Sequence, residues 1–251
     1  MSTPKGIDAL HFALPKLSLP IEDLANARGI EPEKLQFGLG LQAMAVCDMD
    51  EDMVTLAADA AWNLISQQGL NPAELGRIYI GTESAVDAAK SSATYVLGLL
   101  EKRLEAEFGP RSLGHCDALD MTFACVGGVD AMHNSLDWVG AGSKRKALVI
   151  AADVAKYAPG SPGEYTQGAG AVAMLITENP RILAMEPDFG VSVESVSDFF
   201  KPRRTFEKKS LLQEAAALMG QTLSDAQAEA LCAQATEGFW ATPEVHIDQF
   251  L

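Results

Sequence analysis

The sequence predicts an α/β fold, a sheet covered by helices on both faces, followed by a helical tail. Apolar strand-like runs alternate with amphipathic helical patterns up to about residue 194, the pattern of a layered sheet. From Phe206 the texture changes to an Ala- and Gln-rich helical one. In 251 residues, 48% are hydrophobic and 21% charged, enough for a sizeable core. We therefore divide the chain into a first domain at 1–205 and, at 206–251, a helical tail or the start of an insertion.

The elements follow in order. "GIDALHFALP" (6–15) reads as a strand ended by Pro15, and "PIEDLANARG" (20–29) as a short helix stopped by Gly29. "DEDMVTLAADAAWNLISQQGL" (50–70) carries Met53, Leu56, Ala57, Ala60, Leu64 and Ile65 at helical spacing and closes at Gly69. "RIYIGTES" (77–84) is a buried strand running into a polar turn, and "KSSATYVLGLLEKRLEAEF" (90–108) the next helix. "HCDALDMTFAC" (115–125) reads as a strand and "GVDAMHNSLDWVGAG" (128–142) as a helix. "KALVIAADVA" (146–155), "GAGAVAMLITENP" (168–180) and "ILAMEPDFGVSVE" (182–194) complete the strands. In the tail, two helices meet at "GQTLSD", where Ser224 or Asp225 caps the second.

The formal net charge of −15 argues against a general nucleic-acid binder, which needs a basic surface. Cys47, Cys116, Cys125 and Cys232 are scattered and form no CxxC pair, so neither a zinc site nor a disulfide framework is expected. No stretch of about 18 uncharged apolar residues suggests a membrane span, and the N-terminus lacks the apolar core of a signal peptide. A cytoplasmic setting is the expectation.

Cys125 lies where a strand hands over to a helix. Partial positive charge and free N–H groups at a helix N-terminus favour a thiolate, the nucleophilic form. Gly127 and Gly128 would allow a close approach by backbone or substrate. The alternative is a buried cysteine acting as a small hydrophobe. Glu83 follows another buried strand, and parallel strands present reactive groups at their carboxyl ends. As a general acid or base it would share an edge with Cys125. Alternatively, Thr82, Glu83 and Ser84 are a helix-capping cluster. The loop "PGSPGEYTQ" either makes a tight hairpin or lines a substrate tunnel. "GAGA" is no dinucleotide fingerprint. Of His11, His115, His133 and His246, none is placed beside Cys125, and His133 reads as a helix-face residue.

Six stretches, "GIDALHFALPK", "GTESAVDAAK", "DMTFACVGGVDA", "ALVIAADVAKY", "GEYTQGAGAVAMLI" and "DFFKPRR", together resemble the 3-hydroxy-3-methylglutaryl-CoA synthase family of the thiolase-like superfamily over residues 5–204. The resemblance implies a thiolase-like half with a mixed five-stranded sheet. It implies Cys125 as the acetylated nucleophile and Glu83 as the acid/base that deprotonates the acetyl thioester. Tyr157, Thr166, Gln167 and Gly168 would lie near the acyl pocket, and the Cys125 N–H would serve an oxyanion hole. Acetyl-CoA and acetoacetyl-CoA would be substrates on the mevalonate route to isoprenoids, without cofactor or metal. Only the first half of the family fold is represented. The family's His-x-Pro-Phe motif is absent, and His246 in "PEVHIDQFL" does not replace it. The expected partner is a second copy or a complementary second-half polypeptide, and the tail helices would cover the face that half would occupy. Two alternatives stay open: a carrier-protein-dependent β-branching or ketoacyl synthase relative, and an inactive half or interaction subunit.

Overall fold

The computed structural model describes residues 3–142, 145–194, 205–233 and 244–246. The chain falls into two compact units, Met1–Phe189 and Gly190–Leu251.

The first unit is built on a six-stranded sheet. In chain order its strands are β1 (Lys5–Ala13), β4 (Leu75–Gly81), β5 (Asp117–Met121), β6 (Lys146–Ala155), β7 (Gly168–Glu178) and β8 (Leu183–Met185). They lie side by side as β5-β4-β6-β7-β1-β8. β4 pairs in parallel with both β5 and β6, while β6–β7, β7–β1 and β1–β8 are antiparallel, so the sheet is mixed. The expected count of five is one too low. β1 lies inside the sheet, with β7 on one side and β8 on the other, so all six strand-like stretches enter it. The last is far shorter than the 182–194 run suggests. β8 pairs only with Lys5–Ile7, and continuing past Met185 would need partners at and before Pro4, which has no N–H.

Alternation along the strands sends side chains to two cores. Ile78, Ile80, Leu148, Ile150, Ala171, Ala173 and Leu175 meet helices α3 (Met53–Gln68) and α4 (Ser92–Phe108) on one face. Tyr79, Ala147, Val149 and Ile176 meet α5 (Gly127–Gly140) on the other. Helices thus cover both faces, but unequally. α3 starts with a reciprocal cap, Asp52 Oδ1 accepting from Thr55 N–H and Thr55 Oγ1 accepting from Asp52 N–H. It ends at Gly69 in the left-handed region, and its fully buried Ala57, Ala60 and Ala61 let it lie close on the sheet.

The helix expected at 20–29 belongs to a small lobe. β2 (Leu17–Pro20) pairs antiparallel with β3 (Ala43–Val46), flanking α1 (Ile21–Arg28) and α2 (Pro32–Gln36). Ile21, Leu24, Ala25, Leu35 and Met44 form its own core, with Tyr165 packed against it. The strands are four residues each, too short to stand out by periodicity.

In the second unit β9 (Thr205–Glu207) pairs antiparallel with β10 (Glu244–His246), and α6 (Lys208–Leu218) packs against α7 (Asp225–Ala233). Ser224 rather than Asp225 caps α7: its Oγ accepts from Gln227 N–H while Gln227 Oε1 accepts from Ser224 N–H. The "DFFKPRR" stretch lies outside the described residues.

Candidate functional site

β4 and β5 run in parallel side by side, Gly81 opposite Met121, so their carboxyl ends share one sheet edge. Thr82 N–H closes that edge by donating to the Met121 carbonyl at 3.2 Å. Glu83 stands two residues past the end of β4, and Cys125 four past the end of β5. Neither expected flank is quite right. The strand proposed at 115–125 stops at Met121, opposite Gly81, the last residue of its neighbour β4, and Ala124–Val126 makes a 3₁₀ turn instead. That turn feeds α5 directly. The N–H groups of Val126 and Gly127 both donate to the Phe123 carbonyl, closing it.

Cys125 is exposed, which removes the reading of a buried filler. The close approach expected of the glycines is one of backbone on backbone. A Cβ on Gly127 would sit 2.4 Å from the Met121 carbonyl oxygen, and a Cβ on Gly81 would sit 2.1 Å from the Gly128 nitrogen. The end of β4 is thus pressed against the start of α5, which holds the Cys125 turn beside the Glu83 turn.

Thr82, Glu83 and Ser84 cap no helix. Their conformation is set by Asp153, near the end of β6. Its Oδ1 accepts from Thr82 Oγ1 at 3.0 Å, Glu83 N–H at 2.8 Å and Ser84 Oγ at 2.8 Å. Ser84 N–H in turn donates to Thr82 Oγ1. Asp153 was visible as the lone charge in the apolar run "LVIAADVA", but nothing in the sequence showed what it holds. The next turn onward, Asp87 accepts from Ala89 and Lys90 N–H and from Tyr95 Oη, which holds its carboxyl below the usual range. Asp120 binds Ser91 Oγ and the N–H groups of Ser92 and Ala93, tying the end of β5 to the start of α4.

The remaining candidates gather on the segment 156–167 between β6 and β7, far too long for a tight hairpin. Tyr157 N–H donates to Gln167 Oε1 at 3.2 Å, and a Cβ on Gly163 would collide with the Tyr157 ring at 2.6 Å. Thr166 Oγ1 donates to the Gly163 carbonyl at 2.9 Å, and Gly168 opens β7 opposite Ala155. Gln167 and Gly168 line a cavity of about 290 Å³ with Cys47, Lys156 and Met44 of the small lobe. Burial pushes the Cys47 thiol up. Arg28 and Glu164, an ion pair spanning this segment and the small lobe, carried no signal in the sequence.

A larger cavity, about 420 Å³, lies away from these groups, between Lys5 and the second half of α5. His133 is there, stacked on Phe189 with ring centroids 3.7 Å apart, as befits a helix-face residue. His11 Nε2 meets Gln67. Among the described residues no His/Cys/Asp/Glu group could hold a metal, and no helix is long and apolar enough to cross a membrane.

With this geometry in view, the likenesses to known proteins fall into place. Residues 2–181 match the family model "Hydroxymethylglutaryl-coenzyme A synthase N terminal". The hydroxymethylglutaryl-CoA synthase of Haloferax volcanii is 40% identical over 229 residues, 89% of this chain and 50% of that protein. That of Enterococcus faecalis is 34% identical over 197 residues, 78% of this chain and 48% of that one. A solved structure of MvaS in complex with 3-hydroxy-3-methylglutaryl coenzyme A superposes with a TM-score of 0.74 at 36% identity, covering 97% of this chain and 57% of that one. An HMG-CoA synthase complexed with CoA gives 0.71 at 34%, covering 80% and 48%. The chain spans about half the length of these relatives. It belongs to the hydroxymethylglutaryl-CoA synthase family, whose N-terminal domain it carries.

Proposed function

We propose that this chain carries the acylation half of a condensing site that joins acetyl-CoA to acetoacetyl-CoA. The observation that carries the proposal is the shared edge: the Gly81–Gly128 contact sets the start of α5, just past the Cys125 turn, against the end of β4, and Asp153 holds the Glu83 turn that follows β4. The Cys125 thiolate attacks the thioester carbonyl of acetyl-CoA, the C–S bond to CoA breaks, CoA leaves as its thiolate and takes a proton from solvent, and acetyl-cysteine remains. Glu83 then takes a proton from the acetyl methyl group, and the carbon attacks the ketone of acetoacetyl-CoA. Water cleaves the enzyme thioester and releases 3-hydroxy-3-methylglutaryl-CoA. Tyr157, Thr166, Gln167 and Gly168 shape the acyl pocket. We take CoA thioesters over carrier-protein thioesters because the CoA-bound structures are similar at 36% and 34% identity, against 25% for a curacin-pathway HMG synthase with acetyl donor-ACP.

Condensation needs a general acid from the other half of the synthase fold, on the same or another polypeptide. The sheet face beside α5 is open to receive that half. Leu10 and Phe12 of β1 and Val172 of β7 point to this face at 48%, 57% and 37% exposure. An apolar face on an inner part of a sheet is a surface made for burial. We also place this chain on the mevalonate route, in the cytoplasm, and as a dimer or a complex with that half.

The test is incubation with acetyl-CoA followed by intact mass, with Cys125→Ser as control. A gain of one acetyl group that the control lacks supports the acylation step. A folded, unmodified chain refutes it.

A further inference from the structure

We infer that Arg28 and Glu164 form a clamp that positions the 156–167 segment, and with it Tyr157, Thr166 and Gln167, for acyl transfer; the inference rests on the thioester reading above. Glu164 sits in the 3₁₀ turn Glu164–Thr166 and is only 4% exposed. Its carboxylate takes three donors. Oε1 accepts from Arg28 Nη2 at 2.7 Å, and Oε2 accepts from Arg28 Nε at 2.8 Å and from Gly160 N–H at 2.9 Å. Two parallel N–H···O bonds fix an angle as well as a distance.

Arg28 ends α1 in the small lobe, 136 residues away in sequence. Tyr165, next to Glu164, is packed against the same lobe's core. The segment is therefore anchored to the lobe at two adjacent residues, one by charge and one by apolar contact. From the clamp a short chain of bonds runs to the candidate pocket residues. Gln167 N–H donates to the Glu164 carbonyl, and Gln167 Oε1 accepts from Tyr157 N–H. The Gly160 bond shapes the other limb. Only the Glu164 side of this pair is buried, with the Arg28 side chain 34% exposed, and ion pairs at such half-open sites add little to stability. This one spans the small lobe and the segment bearing the pocket residues, which gives it a positional role. Lysine, a point charge, would not reproduce the fork.

The test compares wild type, Glu164→Gln, Arg28→Met and Arg28→Lys by two reactions of Cys125: acetylation by acetyl-CoA, which uses the pocket, and alkylation by iodoacetamide, which does not. The expected result is acetylation slowed about ten- to hundredfold with its half-saturating acetyl-CoA concentration shifted less. Alkylation should stay within about twofold, and Arg28→Lys should not restore acetylation. Equal losses in both reactions, or none in either, overturn the clamp. If wild type itself is not acetylated, the thioester reading fails, and amide exchange judges the clamp. Exchange across 156–167 about tenfold faster in Glu164→Gln, with β4 and β5 unchanged, upholds it. Unchanged exchange there overturns it. Arg28→Lys serves where the other variants do not fold.

Discussion

Replacing Gly81 with alanine tests how the site is built. The added Cβ would lie 2.1 Å from the Gly128 nitrogen, 2.4 Å from the Gly127 carbonyl carbon and 2.4 Å from the Gly128 Cα. Comfortable contacts between such atoms are about 3.5–4 Å, so strand and helix must part by more than about 1 Å. Neither yields easily. β4 is paired on both sides, and α5 is seated on the sheet through Ala131, Leu136 and Val139. Overpacking costs about 1–3 kcal/mol, and because all three neighbours are backbone we expect the top of that range. For a chain of this size that lowers the melting temperature by roughly 6–12 °C.

The assay is thermal unfolding followed by circular dichroism, with Gly98→Ala as control. Gly98 lies in α4 with nothing within 4 Å of an added Cβ, so alanine there should stabilise by up to about 1 kcal/mol. The Gly81 variant should also alter the rate at which Cys125 alkylates, because the cysteine turn moves with the start of α5. If Gly81→Ala melts within about 2 °C of wild type, the close-approach reasoning is wrong.

Three other outcomes are expected. With iodoacetamide at about pH 8, peptide mapping should find exposed Cys125 modified before Cys116, whose thiol burial pushes up to about 12. Truncating the cap of α3 by Asp52→Ala should cost about 1 kcal/mol, read as a lower denaturant midpoint with an unchanged slope. Arg28 and the Gly160 N–H hold the Glu164 carboxyl down at about 2, against 4.5 ordinarily. Its contribution to stability is therefore complete above the ordinary value and lost as pH falls towards the lower one. The melting difference between wild type and Glu164→Gln should be greatest near neutrality and shrink steadily below about pH 4.5.

Much of this fold is legible where one local rule decides the outcome. Gly29 and Gly69 end their helices at φ 66° and 57°, as residues without a Cβ can. Apolar runs such as Leu148–Ile150 mark strands buried on both faces, and "TFACVGG" marks a strand handing over to a helix. What escaped notice depends on partners distant in sequence. The 182–194 run resembles a strand, but its length is set by how far β1 extends. The lobe of β2, β3, α1 and α2 acquires its core only when Leu35 and Met44 come back against Ile21 and Leu24. The site shows the same split. Cys125 and Glu83 stand out by position, each just past a strand. Asp153 and Glu164 show their use only once β6 is beside β4 and α1 is beside the 156–167 segment.

The unequal covering of the sheet links fold and chemistry. The face against α3 and α4 is closed, and its residues, from Ile78 to Leu175, are almost wholly buried. Among the described residues of this unit the other face carries α5, which leaves Leu10, Phe12 and Val172 exposed. The two turns that bring Glu83 and Cys125 to one edge need nothing from that open face, since Asp153, Gly81 and Met121 all belong to this unit. On the proposed reading, the acylation step is accordingly one that this half would prepare by itself. Carbon–carbon bond formation is different, because it needs a second acid and a dry site around the carbanion equivalent. Covering Phe12 and Val172 would exclude water along α5, so docking of the complementary half should complete the chemistry and bury the apolar face in one event. Phe12→Glu should therefore leave Cys125 acetylation intact while abolishing both docking of a co-expressed second half and condensation. Acetylation lost together with docking would refute this division of labour.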